Sequence, residues 1–256
     1  MPIRKRFGQH FLHDPNVVRR IVDALDPKPG ENLVEIGPGR GALTVQVLER
    51  AGSLDVIEVD RDLAALARSE FSRHGDLRVH EGDALKFDLA SLGKSELRVF
   101  GNLPYNISTP LLFHLMTQAT HIHDMLFMLQ REVVQRMTAV PGNKTYGRLT
   151  VMLAAIAQVE EQFLVGRGAF HPPPRVDSAV VRVIPHRVPP FPIGDRALFA
   201  RLVAQAFSHR RKTLRNALAN LASIADLEAA GQDPSARPET IDPAGYSAIA
   251  QQISGR

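Results

Sequence analysis

Short apolar runs alternate with helix-like stretches along the first half of the chain. Five of the runs have the length and composition of buried strands. They are LVEI (33–36), LDVIEV (54–59), LRVHE (77–81), LRVFG (97–101) and MLFMLQ (125–130). The stretches between them repeat apolar residues every three or four positions, as in ALTVQVLERA (42–51) and PLLFHLMTQ (110–118). This alternation predicts an α/β fold with a parallel sheet and helices on both of its faces.

The pattern changes in the second half of the chain. Residues 148–160 have helical spacing, and SAVVRVI (178–184) is typical of one further strand. Proline clusters at 172–174 and 188–192 interrupt regular structure, and only helical patterns follow the second of them. We therefore predict a larger domain over residues 1–187 and a small, all-helical domain over residues 188–256.

Composition excludes several classes of protein. The 256 residues are 44% hydrophobic and 23% charged, which is ordinary for a soluble globular protein. Neither an apolar run of about 20 residues nor a signal peptide is found, so we expect no membrane association and a cytoplasmic protein. Because the chain has no cysteine, disulfides and thiolate metal sites are excluded.

Basic residues are concentrated at the two ends of the sequence. Residues 1–20 carry five Lys and Arg against one acid, and residues 186–256 carry nine against six. The net charge is +4, so the long middle is slightly acidic. This distribution favours contact with a polyanion from two sides. Ordinary solvated surface charge explains it equally well at this point.

A glycine-rich loop joins the first predicted strand to a helix in VEIGPGRGALT (34–44). Gly37 and Gly39 would let the backbone approach a ligand closely. Glu58 ends the next predicted strand, where a carboxylate can accept hydrogen bonds from a ribose diol. Because the same glycines also fit the dinucleotide fingerprint, several adenosine cofactors stay open, as does a loop without a ligand.

Two further acids favour S-adenosyl-L-methionine over NAD. Glu35 precedes the glycines, where dinucleotide sites usually carry an apolar residue, and its carboxylate suits a cofactor with an ammonium group. Asp83, followed by Ala84, ends the third predicted strand and could accept a hydrogen bond from an adenine amine. Acids on three successive strand ends therefore predict S-adenosyl-L-methionine, which carries both an amine and a sulfonium cation.

The stretch NLPY (102–105) follows the fourth predicted strand, beside the expected sulfonium. In isolation it could be a β-turn, since Asn and Pro are favoured turn residues. It also resembles the (N/D)PP(Y/F) motif of methyltransferases that act on exocyclic amines. The chain resembles the ribosomal RNA adenine N6-dimethyltransferases from about residue 4 to 218, through FGQHFL (7–12), EIGPGRGALT (35–44), VIEVDRDLA (56–64), GDA (82–84), GNLPYNISTPLL (101–112) and AFHPPPRVDSAVVR (169–182).

Within that family the chain resembles the bacterial small-subunit (16S) rRNA branch, whose loss gives kasugamycin resistance, and HRRKTLRNAL (209–218) favours this branch. The resemblance implies a Rossmann-like S-adenosylmethionine-dependent methyltransferase fold with a small C-terminal helical domain. It also implies dimethylation of N6 on two adjacent adenines near the 3′ end of 16S rRNA, on a late assembly intermediate of the 30S particle. We expect a monomer that needs no metal.

The chemistry of the reaction gives the NLPY residues their expected roles. Adenine N6 is a poor nucleophile because its lone pair is delocalised into the ring, and acceptors on its two hydrogens would free that pair. The Asn102 side-chain oxygen is one acceptor, and by resemblance the Leu103 carbonyl, held out by Pro104, is the other. Tyr105 is expected to stack on the base, worth about 1–3 kcal/mol. Phe170 is expected to be a second base contact.

The resemblance also transfers a cofactor shell, residue by residue. The N-terminal segment is expected to close over the methionine end of the cofactor. The shell comprises Gln9, His10, Leu12, Glu35, Gly37, Gly39, Glu58 for the ribose, Asp83 and Ala84 for the adenine, and Asn102 beside the methyl group. Two positions depart from the family pattern. Many relatives have Asn in place of His10, and an apolar residue is common in place of Arg40, which we expect to point to solvent.

A basic cluster begins a predicted helix of the second domain. Such clusters are usually solvated, but an RNA substrate makes phosphate contact the better interpretation. Its expected contacts are Arg210, Arg211, Lys212 and Arg215. His121 and His123 alternate along the chain without a carboxylate cluster nearby, so we expect no metal site.

Three alternatives stay open. The first is a large-subunit (23S) rRNA adenine methylase conferring macrolide resistance. The second is a non-catalytic RNA-binding factor for ribosome assembly on the same fold, against which Asn102, Pro104 and Tyr105 argue. The third, an NAD oxidoreductase, is weakened by Glu35 and by the NLPY stretch.

Overall fold

The computed structural model describes residues 10–255, and the chain divides into two compact units. The first unit contains the residues up to Val134 together with Glu160–Pro185, and the second contains Gln135–Val159 and the residues from His186 onward. The chain passes from the first unit to the second between residues 185 and 186, beside the boundary that the sequence predicts near residue 187. Residues 135–159 differ from the prediction, because buried Tyr146 and Val151 belong to the hydrophobic core of the second unit.

Within residues 10–255 the chain forms nine strands. They are β1 (Phe11–Leu12), β2 (Leu33–Ile36), β3 (Ser53–Glu58), β4 (Asp76–Glu81), β5 (Leu97–Asn102), β6 (Ile122–Gln130), β7 (Ala157–Val165), β8 (Phe170–His171) and β9 (Ser178–Pro185). Seven of them form one sheet in the order β4-β3-β2-β5-β6-β9-β7, and β1 pairs with β8 in a separate two-stranded ribbon. The pairs among β4, β3, β2, β5 and β6 are all parallel, whereas β9 runs antiparallel to β6. The predicted α/β fold is therefore confirmed.

Ten α-helices accompany the strands within residues 10–255. They are α1 (Pro15–Leu25), α2 (Thr44–Ala51), α3 (Arg61–Leu66), α4 (Ser108–Met116), α5 (Arg131–Met137), α6 (Arg148–Ala154), α7 (Arg196–Ser208), α8 (Leu214–Ala217), α9 (Ile224–Ala229) and α10 (Pro243–Ser254). The predicted helix over 148–160 is correct only up to Ala154, because the chain becomes extended at Ala157 and continues as β7.

Helix α1 shows how the local sequence sets an element. Asp14 accepts hydrogen bonds from the backbone nitrogens of Asn16 and Val17 at 2.8 and 3.2 Å, and Pro15 occupies the first turn. The helix then buries one apolar stripe at helical spacing, consisting of Val18, Ile21, Val22 and Leu25. Each such side chain contributes about 1.5–3 kcal/mol when it leaves water. This packing fixes the segment that precedes α1, which borders the cavity described below.

The sheet brings the polar strand ends together. Strands β2, β3, β4 and β5 are parallel, so their carboxyl ends, Ile36, Glu58, Glu81 and Asn102, lie along one edge. Chain order reverses between β2 and β5, since β3 and β4 extend the sheet on one side and β6 on the other. Ligands of open α/β sheets bind in the crevice at such a reversal.

The second unit has a helical core of its own. Tyr146 and Tyr246 are completely buried, and their hydroxyl groups donate to the backbone oxygens of Ile241 and Pro238 at 2.7 and 2.6 Å. These bonds satisfy two hydroxyls that would otherwise be costly to bury. Residues 10–255 form no helix with enough length and apolar character to traverse a lipid bilayer.

Candidate active site

A cavity opens at the carboxyl edge of the sheet in the first unit. Its wall is formed by the loops after β2, β3, β4 and β5 and by the segment around β1. Of the residues predicted to form the site, those that line it are His10, Leu12, Glu35, Gly37, Gly39, Glu58, Asp83, Ala84, Asn102, Leu103, Pro104 and Tyr105. Gln9 lies outside the described residues. The cavity therefore unites the predicted cofactor shell with the NLPY stretch.

The glycine loop is tightly packed against its neighbours. Gly39 has φ +56°, a conformation that favours glycine, and a Cβ there would lie 3.3 Å from the ring of Phe11. At the end of β5, a Cβ on Gly101 would lie 2.4 Å from the carbonyl oxygen of Ile36. A side chain is thus disfavoured at Gly39, where the loop packs against Phe11, and is excluded at Gly101, where β5 packs against β2.

Glu35 is an acid buried behind this loop. It is 2% exposed, and the hydroxyl of Thr44 donates to its Oε2 at 2.7 Å. Burial raises the pKa of Glu35, the Thr44 bond partly offsets this and the negative charge of Glu58 adds to it, with a resulting pKa of about 8. Near neutral pH the carboxyl is therefore largely protonated and would ionise readily beside a cation.

Glu58 and Asp83 are oriented by backbone amides. Glu58 accepts from Asp60 N at 2.9 Å and, weakly, from Gly39 N at 3.4 Å, while burial raises its pKa. Asp83 accepts from Leu85 N at 3.0 Å through one oxygen. Each carboxylate keeps acceptor capacity beyond these bonds, because an ionised carboxylate offers about four lone-pair directions.

The amide of Asn102 has a fixed orientation. Its Nδ2 donates to the backbone carbonyl oxygen of His10 at 3.0 Å. A carbonyl oxygen only accepts hydrogen bonds, so the amide nitrogen must face it, and the Oδ1 acceptor is left for another partner. Leu103, the next residue, is 1% exposed, and its backbone nitrogen donates to Met128 O at 3.3 Å.

Tyr105 is held from two directions. Its hydroxyl lies 2.8 Å from Oγ of Ser178, a completely buried residue of β9, and its ring centroid lies 5.7 Å from that of His10 at a tilt of 31°. Burial raises the pKa of the Tyr105 hydroxyl, so it stays protonated. A ring fixed at its far end is a stable surface for stacking.

The segment around β1, residues 10–12, is called the arm below. Nδ1 of His10 lies 2.8 Å from the Pro172 carbonyl, which only accepts, so Nδ1 carries the hydrogen. Phe11 and Leu12 pair with β8, and the Arg40 guanidinium lies 4.6 Å from the centroid of the Phe11 ring. The arm is thus held to two separate parts of the first unit.

Two groups of predicted residues lie elsewhere. Phe170 is 2% exposed and packs in the hydrophobic core, opposite Leu12 in the ribbon, so in this structure its ring is not on the cavity wall. Its apolar neighbours account for this, since a buried Phe gains more from the core than from a polar cleft. The expected stack of Phe170 on the base is therefore not provided by this conformation.

The basic cluster belongs to the second unit, where Arg210, Arg211 and Lys212 lie between α7 and α8 and Arg215 lies in α8. Arg211, Lys212 and Arg215 are exposed, whereas Arg210 donates to Glu239 Oε2 at 2.6 Å and to Asn143 O at 3.2 Å. Arg210 therefore stabilises a loop of its own unit through these two bonds. The three exposed cations are available to a partner.

Sequence reasoning missed several residues of the site. Arg40, expected in solvent, is exposed but lines the cavity and contacts Phe11. Ser178 supports Tyr105 from a strand 73 residues further along the chain. The signal for Ser178 was present in VDSAVV, where one small polar residue begins an otherwise apolar strand, but only the fold brings it to Tyr105.

The acidic side chains of the cavity wall fit the cofactor that the sequence predicts. Glu35, Glu58 and Asp83 are acceptors suited to an ammonium group, a ribose diol and an adenine amine. A wall rich in carboxylates also favours the positive sulfonium. As for metals, residues 10–255 contain no group of three or more His, Asp or Glu side chains arranged to hold an ion.

Comparison with known proteins gives a consistent result. The profile of the family described as ribosomal RNA adenine dimethylase matches residues 2–251 of the chain. Among curated proteins, Ribosomal RNA small subunit methyltransferase A of Pseudomonas putida is 53% identical over 253 residues, covering 98% of this chain and 95% of the relative. The protein of the same name from Pseudomonas aeruginosa is also 53% identical, covering 98% and 94%.

Two solved structures share the fold over nearly the whole length. A dimethyladenosine transferase from Plasmodium falciparum superposes with a TM-score of 0.80 at 26% identity, covering 96% of this chain and 98% of that one. The 23S rRNA methyltransferase ErmE superposes with a TM-score of 0.75 at 25% identity, covering 95% and 99%.

Proposed function

Since this chain belongs to the ribosomal RNA adenine dimethylase family, we propose that it dimethylates N6 of adenine in small-subunit rRNA with S-adenosyl-L-methionine. The observation that carries this proposal is the orientation of Asn102. Its amide nitrogen is fixed on His10 O, which leaves Oδ1 as an acceptor at the end of β5, inside a cavity lined by acids suited to the cofactor.

In the proposed reaction this chain positions the groups and takes no covalent part. S-adenosyl-L-methionine supplies an electrophilic methyl carbon. Asn102 Oδ1 and the Leu103 carbonyl accept from the two N6 hydrogens, which draws the nitrogen towards sp³ and frees its lone pair. Tyr105 holds the base by stacking. Such alignment and charge placement can account for a large part of a rate enhancement.

The same geometry gives a stopping point. Each transfer would replace one N6 hydrogen by a methyl group, with S-adenosylhomocysteine released and the proton passing to solvent. After one transfer a single hydrogen remains on N6, and rotation about the C–N bond lets one acceptor hold it. After two transfers no hydrogen remains, so the base loses both hydrogen bonds and leaves. Dimethyladenosine is therefore the expected end product, without a separate sensor.

Finer features of the function are also proposed. The target is two adjacent adenines near the 3′ end of 16S rRNA, within a late assembly intermediate of the 30S particle, and the protein acts as a cytoplasmic monomer. The exposed cations Arg211, Lys212 and Arg215 support contact with folded RNA, because each can meet its own phosphate. The choice of the small subunit is supported by the 53% identical relatives, which bear that subunit in their names.

Two alternatives have weaker support. A 23S methylase is favoured by the likeness to ErmE, but at only 25% identity. A non-catalytic assembly factor on this fold would not need the Tyr105–Ser178 bond or the fixed Asn102 amide.

The deciding assay supplies labelled S-adenosyl-L-methionine to unmodified small subunits, large subunits, naked 16S rRNA and a hairpin carrying the target adenines. We expect N6-dimethyladenosine on small subunits only. Label in large subunits would support the 23S alternative, and no label anywhere would support the assembly factor. Equal specificity constants on hairpin and particle would contradict the particle requirement, and N6-monomethyladenosine as the end product would contradict the release argument.

A further inference from the structure

Arg40 is distinctive on the cavity wall. Among the described residues that line the cavity, Arg40 is the one Lys or Arg, whereas Glu35, Glu58 and Asp83 are acids. The wall thus offers several acceptors for the positive and hydrogen-bond-donating groups of the cofactor. It offers one cation for the negative group that the cofactor also carries, the α-carboxylate of its methionine part.

The guanidinium of Arg40 is free to accept an anion. Its side chain is exposed, and Arg40 forms no ion pair with a carboxylate among residues 10–255. Its described contact is the face of Phe11, at 4.6 Å. Stacking on an aromatic face leaves the in-plane N–H donors of a guanidinium available.

The position of Arg40 along the cavity matches the methionine end. It contacts Phe11, the neighbour of His10. The carbonyl of His10 in turn meets Asn102, the residue proposed to lie beside the methyl group. Asp83, proposed for the adenine, is on a different loop at the end of β4.

We propose that Arg40 binds the α-carboxylate of S-adenosyl-L-methionine, while Glu35 receives the α-ammonium. This inference rests on the proposed function. Without Arg40, a carboxylate in this cavity would face the acids Glu58 and Asp83 with no Lys or Arg among the described lining residues, whereas a guanidinium can hold it with two parallel N–H donors. The arm contributes by holding Phe11 beneath the guanidinium, which restricts where that side chain can point.

The test compares two ligands that differ in this one group. S-adenosyl-L-methionine and its decarboxylated form share the adenosine, sulfonium and amine, but the second lacks the carboxylate. Binding of each is measured by calorimetry, without RNA, to the wild type, Arg40→Leu and Arg40→Lys. We expect Arg40→Leu to weaken S-adenosyl-L-methionine binding about fivefold to tenfold, the scale of a partly solvated ion pair, and Arg40→Lys to weaken it less. Affinity for the decarboxylated ligand should change less than about twofold.

Phe11→Leu is the matched control, because it removes the ring beneath the guanidinium and keeps the charge. Because the cation stays, Phe11→Leu should weaken S-adenosyl-L-methionine binding less than Arg40→Leu does, with at most a small preference for the ligand that carries the carboxylate. Equal losses for both ligands in Arg40→Leu would overturn the proposal and show that Arg40 acts by holding the arm. Unchanged affinity of Arg40→Leu for both ligands would also overturn the proposal. If the wild type binds neither ligand, the proposed function itself fails, and this inference fails with it.

Discussion

The side-chain nitrogen of Asn102 lies 3.0 Å from the backbone oxygen of His10, 92 residues earlier in the chain. This bond links the arm to the end of β5. The arm is held in turn by the His10 ring on Pro172 O and by the pairing of Phe11 and Leu12 with β8. The acceptor proposed to hold adenine N6 therefore has its direction set by a segment that also borders the proposed cofactor site.

Replacement of Asn102 should separate chemistry from cofactor binding. Asn102→Ala removes one of the two proposed acceptors, so we expect kcat to fall about 100-fold or more, the scale seen when one preorganised hydrogen-bonding group is lost. The dissociation constant of S-adenosyl-L-methionine should stay within several-fold. Single-turnover methylation of small subunits and calorimetry of cofactor binding measure the two quantities. Near-wild-type turnover would remove Asn102 from the mechanism.

The raised pKa of Glu35 predicts that cofactor binding releases a proton. With a pKa of about 8, the carboxyl is mostly neutral at pH 7, and a bound ammonium should drive its ionisation. We expect release of nearly one proton per site at pH 7 and an affinity that increases from about pH 6 to 7.5. At higher pH the ligand's own α-ammonium, with a pKa of about 7.7–8.0, loses its proton and the affinity should fall. Calorimetry in buffers of different ionisation enthalpy measures the release. In Glu35→Gln the release should disappear, and its persistence there would assign the proton to another group.

The same pKa has a consequence for stability. A carboxyl whose pKa is raised by folding stabilises the native state fully below its unfolded pKa of about 4.5 and loses that contribution as the pH rises through about 8. Glu35→Gln keeps an acceptor for Thr44 without the charge, so it should raise the Tm of the cofactor-free protein more at pH 8.5 than at pH 5. Thermal unfolding of the wild type and Glu35→Gln at pH 5 and pH 8.5 tests the sign of this difference in Tm.

The regular elements of the fold could be predicted because the apolar pattern is local. Every strand predicted from an apolar run is present, within a few residues of its expected bounds. The predicted helix over 148–160 overlaps the first four residues of β7, and the rest of that strand is not predicted. QVEEQFLV mixes polar and apolar residues, and the strand at this edge of the sheet is largely unburied. Strands β1 and β8 have two residues each and exist only because they pair with each other.

The residues of the candidate site also fall into two groups, those that a local pattern predicts and those that it does not. Residues carried by a motif, such as Glu58 and Asn102, were found from sequence because their place at a strand end is local information. Contacts between distant segments could not be predicted. The Pro172 carbonyl meets His10 across 162 residues, and Phe170 turns into the core instead of the cavity. Such pairings depend on how β8 folds back on the arm, which no local pattern records.

Tyr105 and Ser178 should behave as one unit. Tyr105→Phe and Ser178→Ala each remove the 2.8 Å hydroxyl contact, so each should impair methylation of small subunits by a similar, modest factor. If Ser178 acts only by fixing the Tyr105 ring, the double variant should be no worse than either single variant. The measurement is a double-mutant cycle on kcat/KM. If the losses of kcat/KM in the two single variants multiply in the double variant, the two residues act separately.

Glu58 should contribute to cofactor affinity through the ribose. Glu58→Ala should weaken S-adenosyl-L-methionine binding by about 1.5–3 kcal/mol, the scale of a hydrogen bond to a charged group. Because Glu58 also accepts from Asp60 N and Gly39 N, part of the loss could come from the loop, and Glu58→Gln serves as a comparison that keeps the side-chain length. S-adenosylhomocysteine and its 2′-deoxy analogue separate the effects. If Glu58→Ala weakens both ligands equally, the ribose assignment is wrong.

The basic cluster of the second unit should divide into one structural arginine and three RNA contacts. Arg210 bonds Glu239 and the Asn143 carbonyl, so Arg210→Glu should place two carboxylates together and lower the Tm. Arg211, Lys212 and Arg215 are exposed, so changing all three to Glu should leave the Tm and cofactor affinity nearly unchanged while weakening binding to small subunits. Each lost phosphate contact should also flatten the plot of log affinity against log salt, by about 0.9 for a duplex.

The second unit offers a charge-matched control for this triple variant. Arg196, Arg201 and Arg237 are exposed cations of the same unit outside the cluster, and changing them to Glu alters the net charge equally. If long-range attraction alone mattered, both triple variants would weaken subunit binding alike, because a net charge acts without specific contacts. Direct phosphate contact predicts a larger loss and a flatter salt slope only for the cluster at 211–215. If the slope of log affinity against log salt is equal in the two variants, the cluster makes no direct phosphate contact and is ordinary solvated surface.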